Sequence, residues 1–272
     1  MIKIILTSII CLFAVGTVRA DSQPFRFEFA NDYFAPGGRD RWLTNQMSLH
    51  YGEWGIGNEM YTPTVKTSEE IPYGDRNWDG YSYLERVSHN QIRRGQFWDL
   101  TTRVGILGNA SGAPELQQWM HDDLGFGTHP TWATTNPDEP AIDVIAQRFN
   151  RTYPQSLFGD SKLEESYGIR LGNVKDLIFL DQQLTKHFGK YTYVFAGLRG
   201  EAIAYNTFLD GRLFQDNVHT IDKNWFLASG RLGVKFSYGT KFIQYAYKYL
   251  TEEFKGQTGR HLYGTIEFGF DF

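Results

Sequence analysis

The feature that constrains this chain most is a two-residue period. In the closing stretch LYGTIEFGFDF, Leu262, Gly264, Ile266, Phe268, Phe270 and Phe272 fall on one side of an extended chain. Tyr263, Thr265, Glu267, Gly269 and Asp271 fall on the other. Successive strand side chains point to opposite faces, so the segment is apolar on one face and polar on the other. A soluble β-sandwich can use such a strand. A membrane barrel needs it, because its outer face meets lipid and its inner face a polar lumen. The same period recurs in FIQYAYKY, where Ile243, Tyr245, Tyr247 and Tyr249 share a face, and in WLTNQMSLHY. In the latter, Leu43, Met47, Leu49 and Tyr51 are expected outward and Thr44, Gln46, Ser48 and His50 toward the lumen.

Strands are expected at 24–32, 42–51, 54–62, 80–91, 96–108, 141–150, 164–173, 177–186, 191–205, 225–237, 240–251 and 260–272. Twelve is an even count, as single-chain bacterial barrels require. The stretch 150–190 parses least cleanly: 153–163 could hold a further strand, or 177–186 could be loop.

The start of the chain agrees with export. Lys3 supplies a basic region, 4–15 are mostly apolar, and Val18-Arg19-Ala20 offers a cleavage site, so 1–20 are expected to be a removed signal peptide and 21–272 the barrel. No later run approaches the ~20 apolar residues of a spanning helix. The single cysteine, Cys11, falls in the expected signal segment, which leaves the remainder without disulfides, zinc-thiolate sites or cysteine nucleophiles. The net charge of −4 gives no support for nucleic-acid binding.

Barrel termini lie in the periplasm, so the links 33–41, 63–79 and 109–140 gather at the outer rim and the short turns at 52–53 and 92–95 lie opposite. The link 109–140 is far longer than usual, and such loops are uncommon unless functional. It contains QQWMHDDLG, and Leu116, Trp119, Met120 and Leu124 recur at helical spacing. A short helix over the rim or against the wall is expected, carrying His121.

Other polar groups gather at the same rim. Asn31 and Asp32 end the first strand in FANDYF, Arg39, Asp40, Arg41, Thr44 and Asn45 open the second in RDRWLTNQ, and Lys66 follows YTPTV. An Asn-Asp pair offers hard oxygen ligands suited to calcium or magnesium. It is more often a turn former, and a threonine in a strand is ordinary. Basic rim residues also bridge lipopolysaccharide phosphates. No GxSxG elbow is present.

Taken together, FANDYFAPGGRDRWLTNQMSLHYG, MYTP, GILGNASGAPELQQWMHDDLG and NPDEPA resemble the outer-membrane lipid A 3′-O-deacylase family. The resemblance implies a twelve-stranded barrel in the bacterial outer membrane that removes the 3′-linked acyloxyacyl chain from lipid A and depends on calcium, with magnesium not excluded. It places the family's Asn-Asp on Asn31 and Asp32, its threonine on Thr44, its catalytic histidine on His121 and its functional lysine nearest Lys66. In that scheme neutral His121 activates water, and a cation held partly by Asn31 and Asp32 polarises the ester. The expected partners are lipopolysaccharide and membrane lipid, and the chain is expected to be a monomer. The rivals are a barrel phospholipase with a Ser-His dyad, a non-catalytic channel or lipopolysaccharide-binding barrel, and a soluble periplasmic β-protein.

Overall fold

In a computed structural model, the described residues are 25–36, 41–65, 67, 70–125, 130–153, 161–216, 218–259 and 261–270. The expected signal segment, Arg39, Asp40, Lys66 and the closing Phe272 lie outside them.

Twelve antiparallel strands close on themselves. They are β1 Phe25–Asn31, β2 Trp42–Tyr51, β3 Trp54–Thr62, β4 Asp79–Arg93, β5 Gln96–Leu107, β6 Glu139–Thr152, β7 Ser161–Gly172, β8 Lys175–His187, β9 Thr192–Asn206, β10 Phe226–Tyr238, β11 Lys241–Leu250 and β12 His261–Phe270. The ambiguous stretch 177–186 is therefore strand, and 161–163 open β7. Closure is made by β1 on β12, where Phe25 stands opposite Phe270 and Phe27 opposite Phe268. The ring centroids of these pairs lie 4.7 and 5.1 Å apart. Closure leaves no unpaired strand edge in the bilayer, where an unsatisfied backbone group is costly.

The period-2 pattern becomes two surfaces. Leu49, Ile56, Leu84, Val104, Ile142, Ile178, Leu198 and Leu232 are exposed on the outer wall, where lipid replaces water. The lumen holds ion pairs: Arg103 Nε donates to Glu85 Oε2 at 2.7 Å, Arg170 Nη2 to Asp143 Oδ2 at 2.5 Å, and both Arg231 Nη atoms to Asp181 at 2.6 and 2.8 Å. His50 joins them, its Nδ1 3.1 Å from Glu85 Oε1, as its lumenal position requires. A cavity of about 440 Å³ remains among these groups.

Short turns crowd one end. Gly52 at φ 61° lets a two-residue turn join β2 to β3. At the other end the long links fold over the rim. Arg212 donates from Nη1 and Nη2 to the two oxygens of Asp79, at 2.9 and 2.6 Å, and from Nε to Pro137 O at 2.8 Å. Asn136 Nδ2 also donates to Asp79 Oδ2, at 3.0 Å. One buried carboxylate thus ties the links before β6 and β10 to the start of β4.

Candidate active site

The helix expected in the third outer link is α1, Ala113–Leu124. Gly112 precedes it in the left-handed conformation, Pro114 stands in its first turn, and Gly125 closes it by donating to Met120 O. Each is a residue type suited to its place. α1 lies on the outer face of the wall, against β3 and β4. The approach is close because Gly80 has no side chain; a Cβ there would collide with Ser111 Oγ and Ala113 Cβ. Ser82 Oγ donates to Ser111 O at 2.6 Å and Asp138 Oδ1 accepts from Ala110 N at 2.9 Å, fixing the start of the helix. Trp132 Nε1 donates to Gln117 Oε1 at 2.7 Å and holds the middle.

The face α1 turns to the wall differs from the one expected. Ala113, Gln117, Met120 and His121 are buried, Leu116 is half-buried, and Trp119 is 49% exposed. The side chain of Leu124 lies outside the described residues. The tight contact at Gly80 rotates the helix so that small and polar residues meet the wall. His121, 5% exposed, is carried into the contact between the helix and its surroundings.

The wall beneath is polar where the alternation demands apolar residues. On β3, Glu59 and Tyr61 border the lumenal cavity, so Asn58, Met60 and Thr62 belong to the outward series. All three are buried, and Asn58 Nδ2 donates to Ser82 Oγ at 2.7 Å. On β1 and β2 the outward pairs run Phe27 with Leu49, Phe29 with Met47, and then Asn31 with Asn45. The lipid-facing wall thus changes from hydrocarbon to carboxamides and hydroxyls just below the outer rim.

Thr44 joins this set through an irregularity that alternation cannot reveal. The β2–β3 register shifts between Leu43 and Asn45, leaving Thr44 as an extra residue. A bulge of this kind re-aims side chains. Thr44, expected toward the lumen, instead meets Thr62 with hydroxyls 2.5 Å apart. Leu43, expected outward, turns in against Tyr61 and the lumenal core.

Asn31 caps a 3-10 turn, Asp32–Phe34, by accepting from Tyr33 N at 2.7 Å. Asp32, buried, accepts from Arg41 N at 2.8 Å through Oδ2. The structure therefore brings Asn31, Asp32, Thr44 and Asn45 to adjoining ends of β1 and β2, and sets Thr44 against Thr62 of β3, a strand on which α1 rests. Lys66 falls outside the described residues. Among those residues, no three His, Cys, Asp or Glu side chains gather as a metal cluster. A cation held here would draw on carboxamide, hydroxyl or main-chain oxygens beside Asp32, a donor set that suits hard ions. Asn45 answers that need: its amide is buried and both its polar atoms lack a hydrogen-bond partner.

Asn45 was read only as one of the polar residues opening the second strand and Gln117 only as part of the helical run, neither with a role, and Thr62 was not singled out. Asn45 and Thr62 had a usable signal, since each is a polar residue at an outward position of a strand. Gln117 becomes distinguishable only when the helix face is known.

A closed barrel with an apolar exterior, a charged lumen and long links at one end defines an outer-membrane β-barrel protein. More narrowly, the chain belongs to the outer membrane protein LpxR family, whose model matches residues 50–272. That span includes His121 and leaves out Asn31, Asp32 and Thr44. LpxR from Salmonella typhimurium superposes with a TM-score of 0.78 at 20% identity, covering 91% of this chain and 99% of that one. The NanC porin is much less similar, with a TM-score of 0.41 at 7% identity over 91% of this chain and 98% of that one. The toluene transporter TodX of Pseudomonas putida gives 0.40 at 10% identity over 92% and 88%. No curated protein matches the sequence.

Proposed function

We propose that this protein is a lipid A 3′-O-deacylase, a calcium-dependent ester hydrolase that releases the 3′-linked acyloxyacyl chain from lipopolysaccharide in the outer leaflet. The observation that carries this reading is where the buried polar residues lie. A buried histidine and a set of oxygen-bearing side chains lie on the lipid side of the wall, near the rim. An ester between a lipid's sugar and its acyl chain sits at that depth, with the chains alongside Phe27, Phe29, Met47 and Leu49.

In this reading His121 accepts a proton from water as the water oxygen bonds to the ester carbonyl carbon. The tetrahedral oxyanion then collapses, breaking the bond to the sugar oxygen. The protonated imidazole returns its proton to that oxygen, so a sugar hydroxyl and a carboxylic acid leave, and the acid then loses its proton to bulk water. Thr44, held against Thr62, orients the attacking water or the ester. Gln117, pinned by Trp132, sets the helix rotation that aims His121. Lys66 follows β3 in the chain and takes a phosphate of the glucosamine backbone. A hard divalent cation held by Asn31 and Asp32 supplies polarisation of the carbonyl and charge for the oxyanion.

The test is mass spectrometry of lipid A from a Gram-negative host expressing the chain or its His121→Ala variant, with membranes incubated with and without calcium. Loss of one acyloxyacyl unit is expected only with the unsubstituted chain and calcium. Removing the base is expected to slow hydrolysis by ~10²–10⁴-fold. Unchanged lipid A, from a barrel shown to be folded by its heat-modifiable gel mobility, refutes the reading.

A further inference from the structure

Asn45 carries unmet polarity in a place where none is needed for folding. Its Oδ1 and Nδ2 are both buried without a hydrogen-bond partner, and the residue is 0% exposed. Burying a carboxamide unpaired costs free energy, and such groups call for a specific explanation. The position prescribes no amide. It belongs to the outward series of β2, in which Met47 and Leu49 are apolar, and leucine would fill the same space with no unpaired atoms. What the carboxamide adds is an acceptor oxygen and two donors.

Its neighbours indicate the use. Asn45 stands directly opposite Asn31 in the β1–β2 register, and the buried carboxylate of Asp32 follows in the chain. Two braces set the geometry in advance: the Tyr33 N–H on Asn31 Oδ1 and the Arg41 N–H on Asp32 Oδ2. Cross-strand Cβ atoms lie roughly 4.5–5.5 Å apart. Side-chain oxygens from two such positions can meet at one ion with ligand distances of about 2.3–2.6 Å. A carboxamide oxygen is also a donor type that calcium accepts readily.

We propose that Asn45 Oδ1 is a direct ligand of the divalent cation, extending the oxygen set begun by Asn31 and Asp32. The inference rests on the deacylase reading only for the identity of the ion, calcium. The cation then satisfies the orphaned oxygen.

The experiment is calorimetric titration of calcium chloride into the full chain folded in detergent, comparing wild type, Asn45→Leu and Asn45→Asp. Gel mobility establishes that each barrel is folded, and lipid A hydrolysis is assayed separately. Asn45→Leu is expected to weaken binding by at least about tenfold, and Asn45→Asp, which keeps an oxygen and adds charge, to bind as tightly as wild type or more so. Leucine-variant binding within about twofold of wild type overturns the inference. Equal loss in both variants also overturns it, because the fit of the amide rather than its oxygen would then be what matters. Wild type that binds no calcium overturns both the inference and the cation part of the reading. Calcium binding that depends on Asn45 in a chain that leaves lipid A intact supports the inference and removes the deacylase reading.

Discussion

At the scale of single residues, the candidate site gathers where a strand breaks its own rule. Asn31, Asn45, Asn58 and Thr62 occupy lipid-facing positions, and Thr44 reaches them through a bulge. If Thr44 and Thr62 position one hydroxyl between them, their effects are coupled. Thr44→Val is expected to lower kcat with little change in KM, and Thr62→Val to add less than its own single effect in the Thr44→Val background. A double-mutant cycle on lipid A hydrolysis measures this; full additivity separates the two residues. Thr44→Ser, which keeps the hydroxyl, is expected to retain most activity.

At the scale of elements, the candidate site is one helix, α1, resting on β3 and β4 beside the paired ends of β1 and β2. The approach of the helix is set at Gly80, where a methyl group collides with Ser111 and Ala113. Gly80→Ala is expected to push the start of α1 off the wall and misplace His121, lowering activity by about 10²-fold. The barrel is expected to stay intact, because the outward position at 80 leaves the β3–β4 and β4–β5 ladders untouched. Hydrolysis assayed beside heat-modifiable mobility separates the two effects. A variant that is fully active and well folded shows that α1 does not need this approach. The left-handed backbone of Trp132 (φ 46°) belongs to the same element. Such a conformation is unusual for a bulky residue, and here it accompanies the indole's bond to Gln117.

For the molecule as a whole, the lumen and the rim make separate predictions. Ion pairs such as Arg103 with Glu85, Arg170 with Asp143 and Arg231 with Asp181 crowd the lumen, and folded links cover its outer end. Reconstituted barrels are therefore expected to show no steady conductance in planar bilayers; a stable open channel would favour the transport rival. In the link before β12, burial pushes the Glu253 carboxyl up, but the Arg76 guanidinium, with His261 and Lys175, holds it well below the usual carboxylate range. A carboxylate whose folded pKa is depressed contributes stability above its unfolded pKa and loses it as pH falls toward the folded value. Resistance to urea is thus expected to be flat near neutrality and to decline below about pH 4.3. Glu253→Gln is expected to remove that decline and to lower stability at neutral pH by about 3–5 kcal/mol, since Arg76 is left buried without its partner charge. An unchanged acid slope assigns the effect to other carboxylates.

How much of this was legible in sequence follows from the range of each interaction. Alternation is local, since each residue's face is fixed by its neighbour's, so twelve strands, a barrel and even the doubtful 177–186 could be read from the chain. The helix bounds are local too, because Gly112 and Pro114 at its start and Gly125 at its end each act within a turn. The candidates Asn31, Asp32, Thr44 and His121 came from motif resemblance, and their placement in the fold was not encoded in spacing. It depends on β1 pairing with β2, on a bulge that only the β2–β3 register exposes, and on a helix rotated by contact with Gly80, more than thirty residues earlier in the chain. Trp119 could not be told from a packing residue, because its periodicity is satisfied equally by the face turned away from the wall. The sequence by itself determined a barrel with an apolar exterior. Only the tertiary structure decided that Thr44 faces away from the lumen and that Asn45 lies buried with its polar atoms unpaired, because register and helix rotation are set by partners distant in the chain.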